Sequence, residues 1–245
     1  MSKAIRNIKT ITGRDNKPIN IIIPAAILDS KNKNFGPQSL VKLQKNLTIL
    51  DYQVRIIREQ FTQANIILVS GYDHVNVLNN SPENIIHIEN PLFETTNIVK
   101  NITIGLKACT TDRVLIIYGN LIFNRAIVKY KFDKQSLIFL DSTKETTEDD
   151  VGCSINDGYI EHILYDLPNK LTQIIYLTGK ELELYKKLVY TTNIDTMLDF
   201  EIINNIIKNN GQFLAVQNEN IRTFNITSYK QVARIQDILE ENICQ

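Results

Sequence analysis

The sequence predicts an α/β fold, a three-layer α/β/α sandwich whose mostly parallel central sheet is covered by helices on both faces. Three observations carry this. Short, continuous apolar runs recur along the chain, at 19–23, at 65–69 and in the VLIIY that ends at Tyr118. Between them lie segments with apolar residues at helical spacing, such as Ile49, Leu50, Tyr52, Val54, Ile57 and Phe61. No repeat, low-complexity block or linker rich in proline, glycine and serine interrupts the 245 residues. Strands without alternation are buried on both faces, and strands alternating with amphipathic helices imply parallel crossovers.

Residues 1–17 are polar and basic-leaning with no period, and read as an N-terminal extension before a single domain at 18–245. The first strand, 19–23, is followed by a helix at 47–61. A second strand, 65–69, ends in SGYD, and a third spans 84–88. A helix at 97–108 has Thr96 as its expected N-cap. The fourth strand, 113–118, runs into Gly119. Beyond Gln135 come a strand at 136–140 and an acidic loop at 141–150. Strands at 152–155 and 159–164 flank NDG, the strongest hairpin signal in the chain. A strand at 173–177 and helices at 180–188 and 198–208 follow, the second helix stopped by NNG. Short strands at 213–216 and 222–226 and a closing helix at 229–240 complete the reading.

Composition excludes several function classes. Lys+Arg and Asp+Glu are both 27, so formal net charge is zero and there is no electrostatic footprint for nucleic acid or an anionic membrane. No apolar run is long enough to span a bilayer, and the N-terminus has no signal-peptide core. A cytoplasmic protein is expected. Cys109, Cys153 and Cys244 are too scattered for a disulfide framework or a zinc knuckle, and read as reduced thiols.

The order of motifs resembles the small nucleotidyltransferases that activate sugar phosphates or phosphocholine. In that family the first strand runs into A-A-G-x-G-x-R and then P-K-x-L. Here Ala25-Ala26-Ile27-Leu28-Asp29-Ser30-Lys31 and Pro37-Gln38-Ser39-Leu40 stand in those places. Gly71-Tyr72 matches a GY after the second strand, and Asn90-Pro91 with Thr96-Asn97 matches N-P…T-N. Gly119-Asn120 corresponds to the Gly-Asp that ends the fourth strand, Asp150 through Ile160 to a D-G hairpin, and Asn225-Ile226-Thr227 to a late x-I-D. The likeness runs over residues 18–242. It implies a Rossmann-like fold of the nucleotide-diphospho-sugar transferase type. It also implies nucleotide-binding roles for Ala25, Ala26, Ser30, Lys31, Gln38, Thr96 and Asn97, and metal-holding positions at Asn120 and Thr227.

The chemistry implied by that resemblance needs a cation. An acceptor phosphate oxygen attacks the α-phosphorus of a nucleoside triphosphate, pyrophosphate leaves, and a divalent metal offsets the charge. Mg²⁺ prefers anionic oxygens, yet Asn120 and Thr227 are both neutral. Glycines let backbone N–H groups approach phosphates, and Ile27 and Asp29 replace them. A carboxylate about 4 Å from a phosphate charge costs about 4 kcal/mol at an effective dielectric of 20. Gln38 replaces the lysine of P-K.

Two readings follow. The first is a non-catalytic binding or assembly subunit that uses no cofactor and joins a protein partner or a second copy of itself. The second is a divergent, Mg²⁺-dependent nucleotidyltransferase passing a nucleotidyl group from CTP or UTP to a sugar phosphate or phosphocholine-like acceptor, with Asp29, Asp112 or Asp141 as replacement carboxylates. Binding of a nucleotide or phosphorylated small molecule without turnover lies between them. A glycosyltransferase is disfavoured, because GNLIF lacks a D-x-D. His74, His87 and His162 form no ligand set, Asp149 and Asp150 read as a solvated loop, and Tyr118, Phe123, Tyr130 and Phe132 as core and rim.

Overall fold

The computed structural model describes residues 12–26, 36–141 and 150–226, together with 231, 232, 235 and 239. The first half contains β1 (Ile19–Ala25), β2 (Lys42–Gln44), β3 (Leu47–Thr48), α1 (Ile49–Gln60), β4 (Ala64–Ser70), α2 (His74–Asn79), β5 (Ile86–Glu89), α3 (Ile98–Leu106) and β6 (Val114–Ile117). Then come β7 (Leu121–Phe123), α4 (Arg125–Val128), β8 (Leu137–Leu140), β9 (Val151–Asn156), β10 (Tyr159–Tyr165) and β11 (Asn169–Leu177). The described elements end with α5 (Gly179–Thr191), α6 (Asp199–Lys208), β12 (Leu214–Val216) and β13 (Thr223–Asn225).

One nine-stranded sheet has the order β5-β4-β1-β6-β11-β8-β12-β10-β9. β5, β4, β1 and β6 are parallel. The expectation of a mostly parallel sheet fails beyond β6: β11 is antiparallel to β6 and β8, and β10 is antiparallel to β12 and β9. The sheet is mixed. Asp157 and Gly158 both take positive φ, 50° and 85°, which makes the tight turn that joins β9 to β10 and forces them antiparallel. The chain leaves β1 through α1 to reach β4 on one side, then returns from β5 through α3 to β6 on the other. Right-handed crossovers in opposite directions require α1 and α3 on opposite faces.

Local chemistry sets the helix starts. Thr48 and Asp51 form a reciprocal capping box at α1: the Asp51 N–H donates to Thr48 Oγ1 at 3.1 Å and the Thr48 N–H to Asp51 Oδ2 at 2.9 Å. At α3 the cap is Asn97, not Thr96; Asn97 Oδ1 accepts from the Ile98 N–H at 2.8 Å. The core centres on β1 and β6, where Ile21, Ile22, Ile23, Leu115, Ile116 and Ile117 are fully buried. Tyr118, Phe123, Tyr130 and Phe132 are all buried in it.

Packing begins before residue 18. The Asp15 N–H donates to Gln60 O at 2.8 Å, and its carboxylate meets Arg113 Nη2 at 2.6 Å. Both thiols among the described residues, Cys109 and Cys153, are pushed up to about 12 by burial, so they stay protonated and inert.

His87 lies half-buried on edge strand β5, with a buried Nδ1 that has no partner. Burial, then the charge of His74, lowers its pKa below 6.5. The folded state therefore binds fewer protons than the unfolded chain once pH falls through the unfolded pKa, so acid favours unfolding. The loss begins near the unfolded value and levels off below the folded one. Melting temperatures measured across that window are expected to fall on acidification, with a shallower slope in His87→Gln; an equal slope contradicts this.

Candidate functional site

Parallel strands place functional loops at their carboxyl ends, and the natural crevice is where the chain leaves neighbouring strands in opposite directions. Here that point lies between β1 and β6. β1 ends in Ala25, followed by the buried Ala26, and β6 turns through Tyr118-Gly119-Asn120 into β7. The two ends touch: the Gly119 N–H donates to Pro24 O at 3.1 Å. A Cβ on Gly119 would lie 2.7 Å from that of Ala25 and 3.2 Å from Pro24 O. Gly119→Ala is therefore expected to cost about 1–3 kcal/mol through overpacking. Adding Ala25→Gly should return part of the lost melting temperature; no recovery would show that the contact is not the cause.

β7 leads Asn120 to an unforeseen partner. β7 pairs antiparallel with β13, setting Asn225 opposite Leu121, and the Ile226 N–H donates to Asn120 O at 2.9 Å. Across this ribbon Asn120 Nδ2 donates to Asn225 Oδ1 at 2.6 Å. Asn120 is half-buried and Asn225 exposed. Sequence reasoning named Thr227, two residues on, which lies outside the described residues, as do Ile27, Asp29, Ser30 and Lys31. The register of the ribbon brings Asn225 to Asn120, a contact that no spacing rule reveals.

The turn is braced from two sides. From α1, fully buried Gln53 donates through Nε2 to Tyr118 O at 2.8 Å and to Leu121 O at 2.7 Å; Tyr52 of the same helix donates its hydroxyl to Phe123 O at 2.8 Å, at the end of β7 away from the turn. On the other side the Tyr118 hydroxyl donates to Asp199, the first residue of α6. Burial pushes the Asp199 carboxyl up, while the Tyr118 hydroxyl and the Phe200 N–H pull it back. Gln53 was missed as a site residue. Its signal was present in the sequence: it sits four residues from both Ile49 and Ile57, on the apolar stripe of α1.

The neighbouring motifs serve local geometry. Gly71 is required because a Cβ there would come 2.4 Å from Phe93 Cβ. Ser70 Oγ and His74 Nδ1 lie 2.6 Å apart. Buried Asn90 donates to Thr96 Oγ1 at 2.9 Å and Asn101 Oδ1 at 2.7 Å, and Thr96 donates to Leu92 O at 2.8 Å. The Thr96 side chain is thus engaged within its own segment, whereas Asn97 caps α3 through Oδ1 and reaches Thr196 O through Nδ2 at 3.5 Å. Gln38 opens a short 3-10 turn and is half-buried.

The two replacement carboxylates among the described residues, Asp112 and Asp141, do not gather. Asp112 precedes β6, at the opposite edge of the sheet from Asn120. Asp141 follows β8 at the same edge, but two strands across from β6, roughly 10 Å at ordinary strand spacing. Asp150 pairs with Lys170 at 2.8 Å, and His162 is exposed on β10. Among the described residues no group of three or more His, Cys, Asp or Glu could hold a metal ion. The donor set at Asn120 and Asn225 is two neutral amides, one already bonded to the other. That set does not fit Mg²⁺, which takes carboxylates, phosphates and water.

Solved structures share this fold. The inositol-1-phosphate CTP transferase from T. maritima matches at a TM-score of 0.69 and 13% identity, over 93% of this chain and 99% of that one. The CTP:phosphocholine cytidylyltransferase from Streptococcus pneumoniae matches at 0.72 and 15%, over 91% and 100%. A UDP-glucose pyrophosphorylase complexed with UDP-glucose matches at 0.68 and 10%, over 92% and 99%. The chain has the nucleotidyltransferase fold. In sequence it matches no family model and no curated protein. No helix among the described residues is long and apolar enough to cross a membrane.

Proposed function

We propose that this chain is a nucleotidyltransferase-type protein that takes a nucleotide or a phosphorylated small molecule at the carboxyl edge of β1 and β6, with little or no transfer activity. Its role is binding or assembly, in the cytoplasm, with a protein partner or a second copy of the chain. The shared fold supports the class of ligand. The observation that carries the loss of turnover is the Asn120–Asn225 amide pair, with Asn120 Nδ2 2.6 Å from Asn225 Oδ1. Nucleotidyl transfer brings a triphosphate and an acceptor phosphate together, and their negative charges must be offset. An amide pair offers hydrogen bonds and no net charge.

A second reading has support of its own: the solved structures above are named as transferases or a pyrophosphorylase, and nothing in the comparisons speaks for a non-catalytic role. In that reading the chain moves a nucleotidyl group from CTP or UTP to a sugar phosphate or phosphocholine-like acceptor, with Mg²⁺ held by groups other than Asn120. Calorimetry with CTP, UTP, ATP and GTP, in EDTA and again with Mg²⁺ or Mn²⁺, separates the two. The proposal expects heat with at least one nucleotide and little change on chelation. Binding that appears only with metal favours the second reading, and no heat at millimolar concentration removes nucleotides as ligands.

A further inference from the structure

We infer that Gln53 is the positioning residue of this site: from the middle of α1 it fixes the turn that presents Asn120 to Asn225. Its importance for ligand binding rests on the function proposed above; the geometry does not. Three observations lead to it.

The first is burial without local need. Gln53 is fully buried on a stripe otherwise built from Ile49, Tyr52, Ile56 and Ile57, all nearly or fully buried. An amide belongs in such a place only when its donors are used. The second is what the donors do. Both bonds run from Nε2, one to Tyr118 O at 2.8 Å and one to Leu121 O at 2.7 Å. These two carbonyls bracket Gly119-Asn120. The Leu121 N–H also donates to Tyr118 O at 3.2 Å, so a single amide group grips both ends of one tight turn. The third is the atom left over. Gln53 Oε1 is buried with no partner. A residue chosen for packing alone would carry no orphan acceptor. A single-donor side chain would hold only one carbonyl, and asparagine is one methylene shorter.

The consequence is directional. Asn120 reaches Asn225 across the β7–β13 ribbon, and β7 starts at Leu121, the residue Gln53 holds. Releasing that carbonyl lets the turn relax and the Asn120–Asn225 bond open. Tyr52 supplies the matched control, because its hydroxyl holds Phe123 O, at the far end of β7.

The test uses the full chain labelled with ¹⁵N and compares Gln53→Met with Tyr52→Phe. The Asn120 and Asn225 side-chain amide signals are assigned by their loss in Asn120→Ala and Asn225→Ala. In Gln53→Met both signals should shift; in Tyr52→Phe they should stay in place, even if both variants melt earlier than the parent. Signals unmoved in a folded Gln53→Met overturn the inference and leave Gln53 a stability residue. If Gln53→Met fails to fold, Gln53→Glu takes its place. Its neutral carboxyl can donate to one carbonyl and its ionised form to none, so the signals should be displaced at alkaline pH and move back on acidification. Signals that ignore pH and match the parent overturn the inference equally. A final arm titrates CTP into Gln53→Met and Tyr52→Phe, expecting at least tenfold weaker binding in the first alone. The amide spectra need no ligand, so failure of the proposed function, with no CTP bound by any form, is distinguishable from failure of this inference.

Discussion

Asp15→Ala is expected to destabilise the fold by about 3–5 kcal/mol, the range for breaking a buried ion pair by removing one partner. The Asp15 and Arg113 side chains are only 5% and 12% exposed, and their closest atoms lie 2.6 Å apart. Arg113 also donates through Nη1 to Lys17 O and Pro18 O and through Nη2 to Phe132 O. It therefore ties the entering chain, the start of β6 and the segment after α4 into one corner. Without Asp15 the guanidinium keeps those carbonyls but loses its counter-charge in a place that water does not reach well. For a chain of this size, 1 kcal/mol shifts the melting temperature by about 2–4 °C, so the drop should be roughly 6–20 °C. Replacing both residues with leucine should cost less than Asp15→Ala alone, because no buried charge is stranded. Thermal melts of the two variants check this, and a double variant less stable than the single contradicts it.

Asn120→Asp combined with Asn225→Asp should convert a hydrogen-bonded pair into a metal-dependent one. In EDTA two carboxylates about 4 Å apart repel by about 1 kcal/mol in water-like surroundings and about 4 kcal/mol at an effective dielectric of 20. Asn225 is exposed, which places the cost toward the lower figure. The lost amide bond adds about 1 kcal/mol. Mn²⁺ or Mg²⁺ should then raise the melting temperature of the double variant in a concentration-dependent way, since a ligand of the folded state stabilises it by mass action. The parent should show no such rise. A parent stabilised by the metal as strongly as the variant would mean that other groups already hold a cation there.

How far the sequence reaches is set by the physics of each element. β1, β4 and β6 are buried on both faces, so their continuous apolar runs are legible. The same runs hide direction: the apolar end of β11, Ile174 to Leu177, reads like β6, and only its pairing shows it antiparallel. α2 escapes notice because it is six residues long and buries only Val77, while its other apolar residues, Val75 and Leu78, are exposed, so no apolar stripe marks it. β7 and α4 were not separated from GNLIFNRAIV, because a three-residue strand and a four-residue helix are shorter than the period that would identify them. The placing of Gly119 and Asn120 in the turn that follows β6 was legible from motif order. The contact of Asn120 with Asn225 has no such signal, because cross-strand register decides it, and Gln53 went unremarked because the helical pattern at 47–61 was read from its apolar residues alone.

A neutral Asn120–Asn225 pair should not support nucleotidyl transfer. Pyrophosphate release is the direct test, measured on the unmodified chain with CTP or UTP, Mg²⁺ or Mn²⁺, and phosphocholine or sugar 1-phosphate acceptors. The expected result is no release above background in any combination. Steady metal-dependent release that Asn120→Ala abolishes would contradict it.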